Sequence, residues 1–291
     1  MIKQEDSVNH HPALSAGNVA VITGAADGIG LAAAKRFAQF GMNLVMADIN
    51  GELLDSTASE VRNIASQHGG EVGIHILDVS QLSDLTALKD RVFARFGRVN
   101  VLMNNAGTYL PTHSWEEIEQ WRHLVEINLW GILHGVHAFT QAMIDQDEAA
   151  LIINTGSKQG ITNPPGNPAY NVSKAAVKSA TESLQHELRN TENCQVSAHL
   201  LVPGFTFTGL TKRHLKEKPA GAWEPEQVAD YMIEALNRGS FYIICPDNDV
   251  SSPEDARRIM WGAGDISNDR PALSRWDLAY QDEFKGFKLK Q

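Results

Sequence analysis

Residues 23–30 read TGAADGIG, and this glycine-rich stretch decides the fold. It ends a short apolar run and opens residues 29–40, whose apolar side chains recur at helical spacing. Gly24 can take a turn conformation closed to other residues, Gly28 lets the backbone approach a pyrophosphate, and Gly30 lets the helix pack closely on a sheet. A helix N-terminus offers free N–H groups and a positive dipole end to phosphates. The stretch therefore predicts a dinucleotide site.

A carboxylate at the end of the next apolar run favours one coenzyme. Asp48 closes residues 43–48 and lies 18 positions after Gly30. A carboxylate there can accept both ribose hydroxyls of an adenosine and repels a 2′-phosphate. Asp27 adds a second negative charge in the turn, and neither Arg nor Lys follows Asp48 directly. We expect NAD rather than NADP.

The rest of the chain alternates apolar runs with helical stretches. The runs predict strands at 18–23, 43–48, 72–77, 99–103, 151–154, 195–202 and 241–244, and the stretches predict helices at 29–40, 52–67, 80–96 (capped by Ser80), 115–143, 170–189 and 224–236. Strands this apolar belong to a parallel sheet that is covered on both faces. We therefore expect an α/β fold, a Rossmann-type doubly wound parallel sheet of about seven strands in three α/β/α layers, with ligands at the carboxyl ends of the strands.

This alternation also predicts the domain organisation. Residues 17–250 form one NAD-binding and catalytic domain, whose substrate loop spans about 205–223. Residues 1–16 are polar and aperiodic and predict a flexible arm. Residues 251–291 predict a C-terminal extension, which starts a helix at Ser252-Pro253-Glu254 and covers either the cleft or a subunit interface.

The composition excludes several classes of protein. A formal charge of −10 argues against a nucleic-acid partner, which would need a basic face. The two cysteines lack CxxC spacing, and we find neither a secretory h-region nor an apolar run long enough for a membrane span. We therefore expect a cytoplasmic protein without a membrane partner. His134 and His137 have no third ligand at suitable spacing, so no metal is expected.

Further motifs follow the predicted strands. TGxxxGxG stands at 23–30, Asp78-Val79 follows the third strand, Asn104-Asn105-Ala106-Gly107 the fourth, Ser157 the fifth, and Pro203-Gly204 with Thr208 the sixth; Asn128 lies in the long helix, and Tyr170 and Lys174 open the next one. In this order the sequence resembles the short-chain dehydrogenase/reductase family, in its single-domain branch. The resemblance covers about Val19 to Thr208, roughly two thirds of the chain.

Tyr170 and Lys174 suit hydride transfer, which needs a group that exchanges the hydroxyl proton of the substrate. They are four residues apart on a predicted helix and so project from one face. A free tyrosine has a pKa of about 10, which a neighbouring ammonium is expected to lower. Ser157 can orient the substrate oxygen. The resemblance further implies that Lys174 binds the nicotinamide ribose and that Asn128 holds a water of a proton relay.

The resemblance implies an NAD-dependent oxidoreductase that interconverts a secondary alcohol and a ketone or aldehyde. Its expected catalytic residues are Asn128, Ser157, Tyr170 and Lys174, and its expected coenzyme contacts are Gly24, Ala26, Asp27, Gly28, Ile29, Gly30, Asp48, Asp78, Val79, Asn105, Ala106, Gly107, Tyr170, Lys174, Pro203, Gly204 and Thr208. By analogy we expect a homodimer or homotetramer built on the helices at 115–143 and 170–189.

Other interpretations stay open at this point. The loops at 108–115, 160–168 and 205–223 favour a largely apolar small-molecule substrate, whereas Lys212, Arg213 and Lys216 could meet an anionic one. A non-catalytic NAD-sensing regulatory protein is the alternative function. An epimerase or dehydratase that uses NAD transiently would usually carry a larger substrate domain. The last predicted strand reads FYIICPDNDV, where common family members end in VDGG.

Overall fold

The computed structural model describes residues 10–212 and 217–289. Its strands are β1 Val19–Thr23, β2 Asn43–Asp48, β3 Val72–Ile76, β4 Val101–Asn104, β5 Ala150–Thr155, β6 Val196–Val202 and β7 Tyr242–Ile244. Its α-helices are α1 Gly28–Gln39, α2 Gly51–Gln67, α3 Leu82–Phe96, α4 Ile118–Val125, α5 Gly131–Asp145, α6 Gln159–Thr162, α7 Pro168–Asn190, α8 Gly209–Lys212, α9 Pro225–Asn237, α10 Ser252–Ser267 and α11 Gln281–Gly286. None of the helices in the described part of the chain is long and apolar enough to cross a membrane.

All seven strands pair in parallel in one sheet, in the order β3-β2-β1-β4-β5-β6-β7. Helices flank the sheet, which confirms the predicted Rossmann-type doubly wound fold. The direction of winding reverses between β1 and β4, and such a reversal opens a crevice at the carboxyl ends of these two strands. The functional site is expected in this crevice.

The core lies on both faces of the sheet. Alternate residues of β1 point to opposite sides: Ala20 and Ile22 join an apolar cluster with α1, α2 and α9, while Val19 and Val21 join one with α3 and α5. All residues of β1 and β5 are buried. This double burial explains why the strands appear in the sequence as continuous apolar runs.

The described part of the expected N-terminal arm is packed against the core. Pro12–Leu14 form a 3₁₀ turn capped by the His11 side chain, and Ala13 and Leu14 are fully buried in the cluster around α1. The backbone N–H of His11 donates a hydrogen bond to the Asn237 side chain. Residues 12–14 therefore pack with this cluster, in the segment for which a flexible arm was expected. Residues 1–9 lie outside the described residues.

Two predicted helix starts are wrong. α3 begins at Leu82 after Gln81, because the N–H of Ser80 donates to Asp78 Oδ1 and this Asx turn occupies the residues before the helix. The helix predicted over 115–143 begins only at Ile118, and it is interrupted by a π-helical turn, Glu126–Trp130. π turns of this kind are frequent at functional sites.

The C-terminal extension has a small apolar centre of its own. Trp261 of α10 is buried, makes edge contacts with Phe284 and Phe287, and donates from its indole N–H to Ser274 Oγ at 2.8 Å. The Arg270 guanidinium lies 3.8 Å from the centre of the Trp261 ring. At its other end α10 packs against α6, which directly follows the fifth strand of the sheet. The extension therefore reaches the carboxyl edge of the sheet.

Candidate active site

A cavity of about 1120 Å³ lies at the carboxyl ends of the strands. Its walls include most of the residues that the sequence indicates: Gly24, Ala26, Asp27, Gly28, Ile29, Asp48, Asp78, Val79, Asn105, Ala106, Gly107, Ser157, Tyr170, Lys174, Pro203, Gly204 and Thr208. Gly30 and Asn128 are buried and do not line the cavity. Residues spread over 185 positions of the chain thus meet in one cleft because parallel strands end at one edge.

The turn after β1 leaves no room for side chains. Gly24 has a φ of +64°, and a Cβ there would lie 2.7 Å from the Cα of Ala106. A Cβ on Gly30 would lie 2.2 Å from the carbonyl oxygen of Gly24. Asn105 braces the same turn by donating from Nδ2 to the carbonyl oxygens of Thr23 and Gly24, both at 3.2 Å. The first turn of α1 is thereby brought close to the floor of the cleft, where its amides can meet an anion.

Two aspartates border this turn. Asp27 caps α1 and accepts from the N–H of Gly28 at 2.6 Å. Asp48 accepts from the N–H of Ala26 through Oδ2 at 3.1 Å and from the N–H of Asn50 through Oδ1 at 2.9 Å. The backbone thus holds the Asp48 carboxylate in place while it remains partly exposed in the cleft. A carboxylate fixed in this way can accept further hydrogen bonds from hydroxyl groups.

At the other end of the cleft, Ser157, Tyr170 and Lys174 come together. The phenol of Tyr170 shares a hydrogen bond with Ser157, and its ring centre lies 5.3 Å from that of Tyr109. Lys174 Nζ is 5.9 Å from the centre of the Tyr170 ring and donates to the carbonyl oxygen of Thr155 at 2.8 Å. The hydroxyls of Ser157 and Tyr170 can act on one substrate oxygen, since both residues line the cleft.

The pKa of Tyr170 differs from the sequence-based expectation. Burial raises the pKa of this phenol to about 12, the hydrogen bond with Ser157 opposes the rise, and neighbouring Tyr109 adds to it. Lys174, expected to lower the pKa of Tyr170, does not contribute to this shift. Burial also lowers the pKa of Lys174 to about 8. Both shifts have one physical origin, because a buried site disfavours the charged form of either group.

Asn128 belongs to the π turn and is fully buried. Its Oδ1 accepts from the N–H of Thr108 at 2.7 Å, and its Nδ2 donates to the carbonyl oxygen of Thr108 at 3.0 Å and to Ser173 Oγ at 3.3 Å. The amide therefore joins the loop after β4 to the helix that carries Tyr170. These contacts with other segments satisfy the buried amide of Asn128 within its helix.

Comparison with known proteins identifies the family. A family model described as short chain dehydrogenase matches residues 18–219. The chain belongs to the short-chain dehydrogenase family. The 1-deoxy-11-beta-hydroxypentalenate dehydrogenase of Streptomyces exfoliatus is 33% identical over 230 residues, which cover 77% of this chain and 81% of that enzyme.

Two solved structures have the same fold as this short-chain dehydrogenase. One is a short-chain dehydrogenase/reductase from Burkholderia phymatum in complex with NAD, with a TM-score of 0.76 and 32% identity, covering 88% of this chain and 96% of that chain. The other is an alcohol dehydrogenase from the archaeon Thermococcus sibiricus complexed with 5-hydroxy-NADP, with a TM-score of 0.69 and 26% identity, covering 79% and 97%. The protein is an oxidoreductase of this family, whose members bind NAD or NADP.

One residue that helps to hold Tyr170, Asn167, was not indicated by the sequence analysis. Asn167 is buried and caps α7, accepting from the N–H of Tyr170 at 3.3 Å and from Thr112 Oγ1 at 2.7 Å. Its Nδ2 donates to the carbonyl oxygen of Leu110 at 2.6 Å. Asparagine followed by Pro168 at a helix start is a capping signal that could have revealed it.

The basic residues proposed for an anionic substrate cannot be placed. Arg213 and Lys216 lie outside the described residues, as does the side chain of Lys212. Among the described residues that line the cleft, the basic ones are His123, Lys158 and Lys174.

Proposed function

We propose that the protein is an NAD-dependent dehydrogenase that interconverts a secondary alcohol and a ketone or aldehyde. The observation that carries this proposal is that Ser157 and Tyr170 line the same cleft as Asp48. One group can exchange a proton with the substrate oxygen, the other can orient it, and a dinucleotide can lie along the same cleft.

The described residues fit NAD. The turn that Gly24 and Gly30 keep free of side chains, with the N-terminus of α1 behind it, suits a pyrophosphate. Asp48 would accept the adenosine ribose hydroxyls and repel a 2′-phosphate, which supports NAD over NADP. We assign the coenzyme contacts to the residues that the sequence indicates around this cleft, with Asp78 and Val79 at the adenine end and Pro203, Gly204 and Thr208 at the nicotinamide end.

Tyr170 is the proposed general acid and base. In alcohol oxidation it accepts the hydroxyl proton while the carbinol hydrogen leaves with its electron pair, and in reduction it returns the proton. A bound oxidised nicotinamide supplies the hydride acceptor and a positive charge. Because burial raises the pKa of Tyr170 to about 12, its phenolate depends on such charges and on the Ser157 hydrogen bond. We assign Lys174 to the nicotinamide ribose and to the proton path, and Asn128 to the water of that proton relay.

The substrate wall supports a largely apolar small molecule. Tyr109, Phe205 and Leu210 line the cleft beside the polar pair of Ser157 and Tyr170. An apolar pocket with a few convergent polar groups is typical of small-molecule sites. An alcohol or ketone with an apolar frame would place its oxygen at the polar pair and its carbon skeleton against this wall.

We further propose a homodimer or homotetramer in the cytoplasm. Large apolar side chains are exposed at and beside α4 and α5, where Trp115, Ile118 and Trp130 are 84%, 60% and 46% exposed, and on α7, where Val172 is 49% exposed. Apolar surface of this kind favours a subunit interface. Cys194 and Cys245 are both free thiols, which fits a reducing compartment. Sedimentation analysis tests the oligomeric state.

The deciding experiment replaces Tyr170 by Phe. A panel of alcohols and ketones is first assayed by nicotinamide absorbance with NAD and with NADP. Tyr170→Phe should lower kcat by a factor on the order of 10² to 10⁴ because it removes the acid and base, while calorimetry should show NAD binding unchanged. The matched control is Tyr242→Phe, which removes a phenol from the last strand, where it bonds to Glu182, and should leave kcat unchanged.

Undiminished turnover in Tyr170→Phe would refute the assignment of the base. NAD binding by the unaltered protein without turnover of any substrate in the panel would instead favour the non-catalytic NAD-sensing alternative.

A further inference from the structure

A buried ionic cluster lies directly behind the serine of the candidate active site. Lys158 follows Ser157 in the chain, and its ammonium is 2.7 Å from Asp255 Oδ2 and 3.2 Å from Asp247 Oδ2. The three side chains are only 16%, 6% and 6% exposed. We call these three residues the Lys158 cluster. A surface ion pair contributes little, whereas the loss of one member of a buried group leaves an uncompensated charge.

Asp247 connects the Lys158 cluster to the loop after β6. Its Oδ2 accepts from the N–H of Phe205 at 3.2 Å, while its Oδ1 accepts from the N–H groups of Asp249 at 3.2 Å and Val250 at 2.8 Å. The carboxylate thus orders the turn at residues 245–249 (CPDND) and also holds the N–H of Phe205. This turn lies where common family members have VDGG. This gives the unusual end of the last strand a structural role.

Gly204 allows the Lys158 cluster to come this close. A Cβ on Gly204 would lie 2.6 Å from Asp247 Oδ2 and 3.0 Å from Lys158 Nζ. The backbone N–H of Lys158 also donates to the carbonyl oxygen of Pro203 at 3.4 Å. Three consecutive residues of the loop, Pro203 to Phe205, are therefore supported from one side by Lys158 and Asp247.

Asp255 connects the same cluster to the C-terminal extension. It lies in the first turns of α10, where its N–H donates to the carbonyl oxygen of Ser251. Lys158, directly before α6, therefore ties the extension to the loop at Pro203–Phe205. Lys158 lies 89 positions before Asp247 and still further before Asp255, so the tie depends on the complete fold.

We propose that Lys158 is a positioning residue: with Asp247 and Asp255 it uses the C-terminal extension to hold the Pro203–Phe205 loop against the nicotinamide end of the bound coenzyme. This inference rests on the proposed function, which assigns the loop to the nicotinamide. Apolar side chains of similar size often stabilise a core as well as a buried ion pair does. Stability alone therefore does not explain why this cluster is charged, and we assign to it the placement of the loop.

The test compares two ligands that share the adenosine end. NAD carries nicotinamide, and ADP-ribose lacks it. Lys158→Met keeps the length of the side chain and removes its charge. We expect the Kd for NAD, measured by calorimetry, to rise about tenfold, while the Kd for ADP-ribose stays within about twofold. The matched control is Lys178→Met, which breaks a partly exposed pair with Glu182 on α7 and should change neither Kd.

Two further variants, Lys158→Arg and Asp255→Asn, test the same role of the charge. Lys158→Arg keeps the charge and should recover a large part of the NAD affinity. If Lys158→Met does not fold, Asp255→Asn, which leaves Lys158 paired with Asp247, should raise the Kd for NAD selectively and by a smaller factor. Equal weakening of both ligands, or no change in either, overturns the proposal, because a merely structural role does not distinguish the two ends of the coenzyme.

These outcomes separate the two proposals. If the unaltered protein binds NAD and loses turnover in Tyr170→Phe, but Lys158→Met binds NAD normally, only the role of Lys158 is refuted. If the unaltered protein does not bind NAD, the proposed function fails and the role of Lys158 fails with it.

Discussion

Replacement of Asp48 by Asn tests the coenzyme assignment most directly. The amide has nearly the size of the carboxylate and keeps an acceptor oxygen for one of the two N–H groups that Asp48 binds, those of Ala26 at 3.1 Å and Asn50 at 2.9 Å. It removes the negative charge. The protein should therefore keep its fold and change its preference between NAD and NADP.

The size of this change follows from two contributions. At about 5 Å from a phosphate charge, a half-buried carboxylate repels it by about 1–2 kcal/mol, between the limits for water and for a protein surface. A hydroxyl group that donates to a neutral amide in place of a carboxylate loses about 1 kcal/mol. The preference for NAD over NADP should therefore weaken by about 2–3 kcal/mol, so that the ratio of kcat/KM for NAD to that for NADP falls by a factor on the order of 30 to 150.

The assay measures initial rates with both coenzymes at one ionic strength, because salt screens such charges. Asp55→Asn is the matched control, since it removes the same charge from α2 at a side chain that is 72% exposed. A ratio that stays constant in Asp48→Asn, or falls equally in Asp55→Asn, would show that Asp48 does not select the coenzyme.

Three further predictions follow from the same geometry. Gly30→Ala places a methyl group 2.2 Å from the Gly24 carbonyl oxygen, so NAD affinity measured by calorimetry should fall at least about tenfold; unchanged affinity would contradict the phosphate assignment. Because burial lowers the pKa of Lys174 to about 8 from 10.5, the folded protein binds fewer protons than the unfolded chain between these values. The free energy of unfolding should therefore rise from pH 8 to 10.5 by up to about 3 kcal/mol relative to Lys174→Met, measured with denaturant, and parallel pH profiles would refute the shift. Asn167→Ala removes the cap before Tyr170 and the donor to the Leu110 carbonyl oxygen, so it should cost about 1 kcal/mol of stability, measured with denaturant, and lower kcat; unchanged stability would show that capping is not its role.

Part of the site could be predicted because its signals are local. The glycines of the first turn are required by the φ of Gly24 and by the 2.2 Å approach at Gly30, and residue type alone indicates both. β2 was predicted with its observed bounds, Asn43–Asp48, because a buried parallel strand is a continuous apolar run. The cap of α3 was predicted wrongly, because Ser80 belongs to a turn in which its N–H donates to Asp78 and the helix begins only at Leu82.

The remaining part depends on contacts between distant segments. The pKa of Tyr170 rises because burial outweighs its hydrogen bond with Ser157, and burial of a single side chain at a cleft is not encoded in local spacing. Asn128 bonds through both of its amide atoms to the backbone of Thr108, which lies 20 positions earlier in the loop after β4. Lys158 carries no motif, and its partners lie in a segment that departs from the family pattern.

The amino-acid sequence by itself determined the order of strands and helices, the turn that suits a pyrophosphate, and the residues that gather where the strands end. These follow from backbone sterics and periodicity, which act over a few residues. Only the tertiary structure decided how charges and hydrogen bonds are shared around Tyr170, and that the C-terminal extension reaches the loop after β6 through Lys158. Desolvation and ionic contact depend on which segments meet in space, and that is set by the packing of the whole chain.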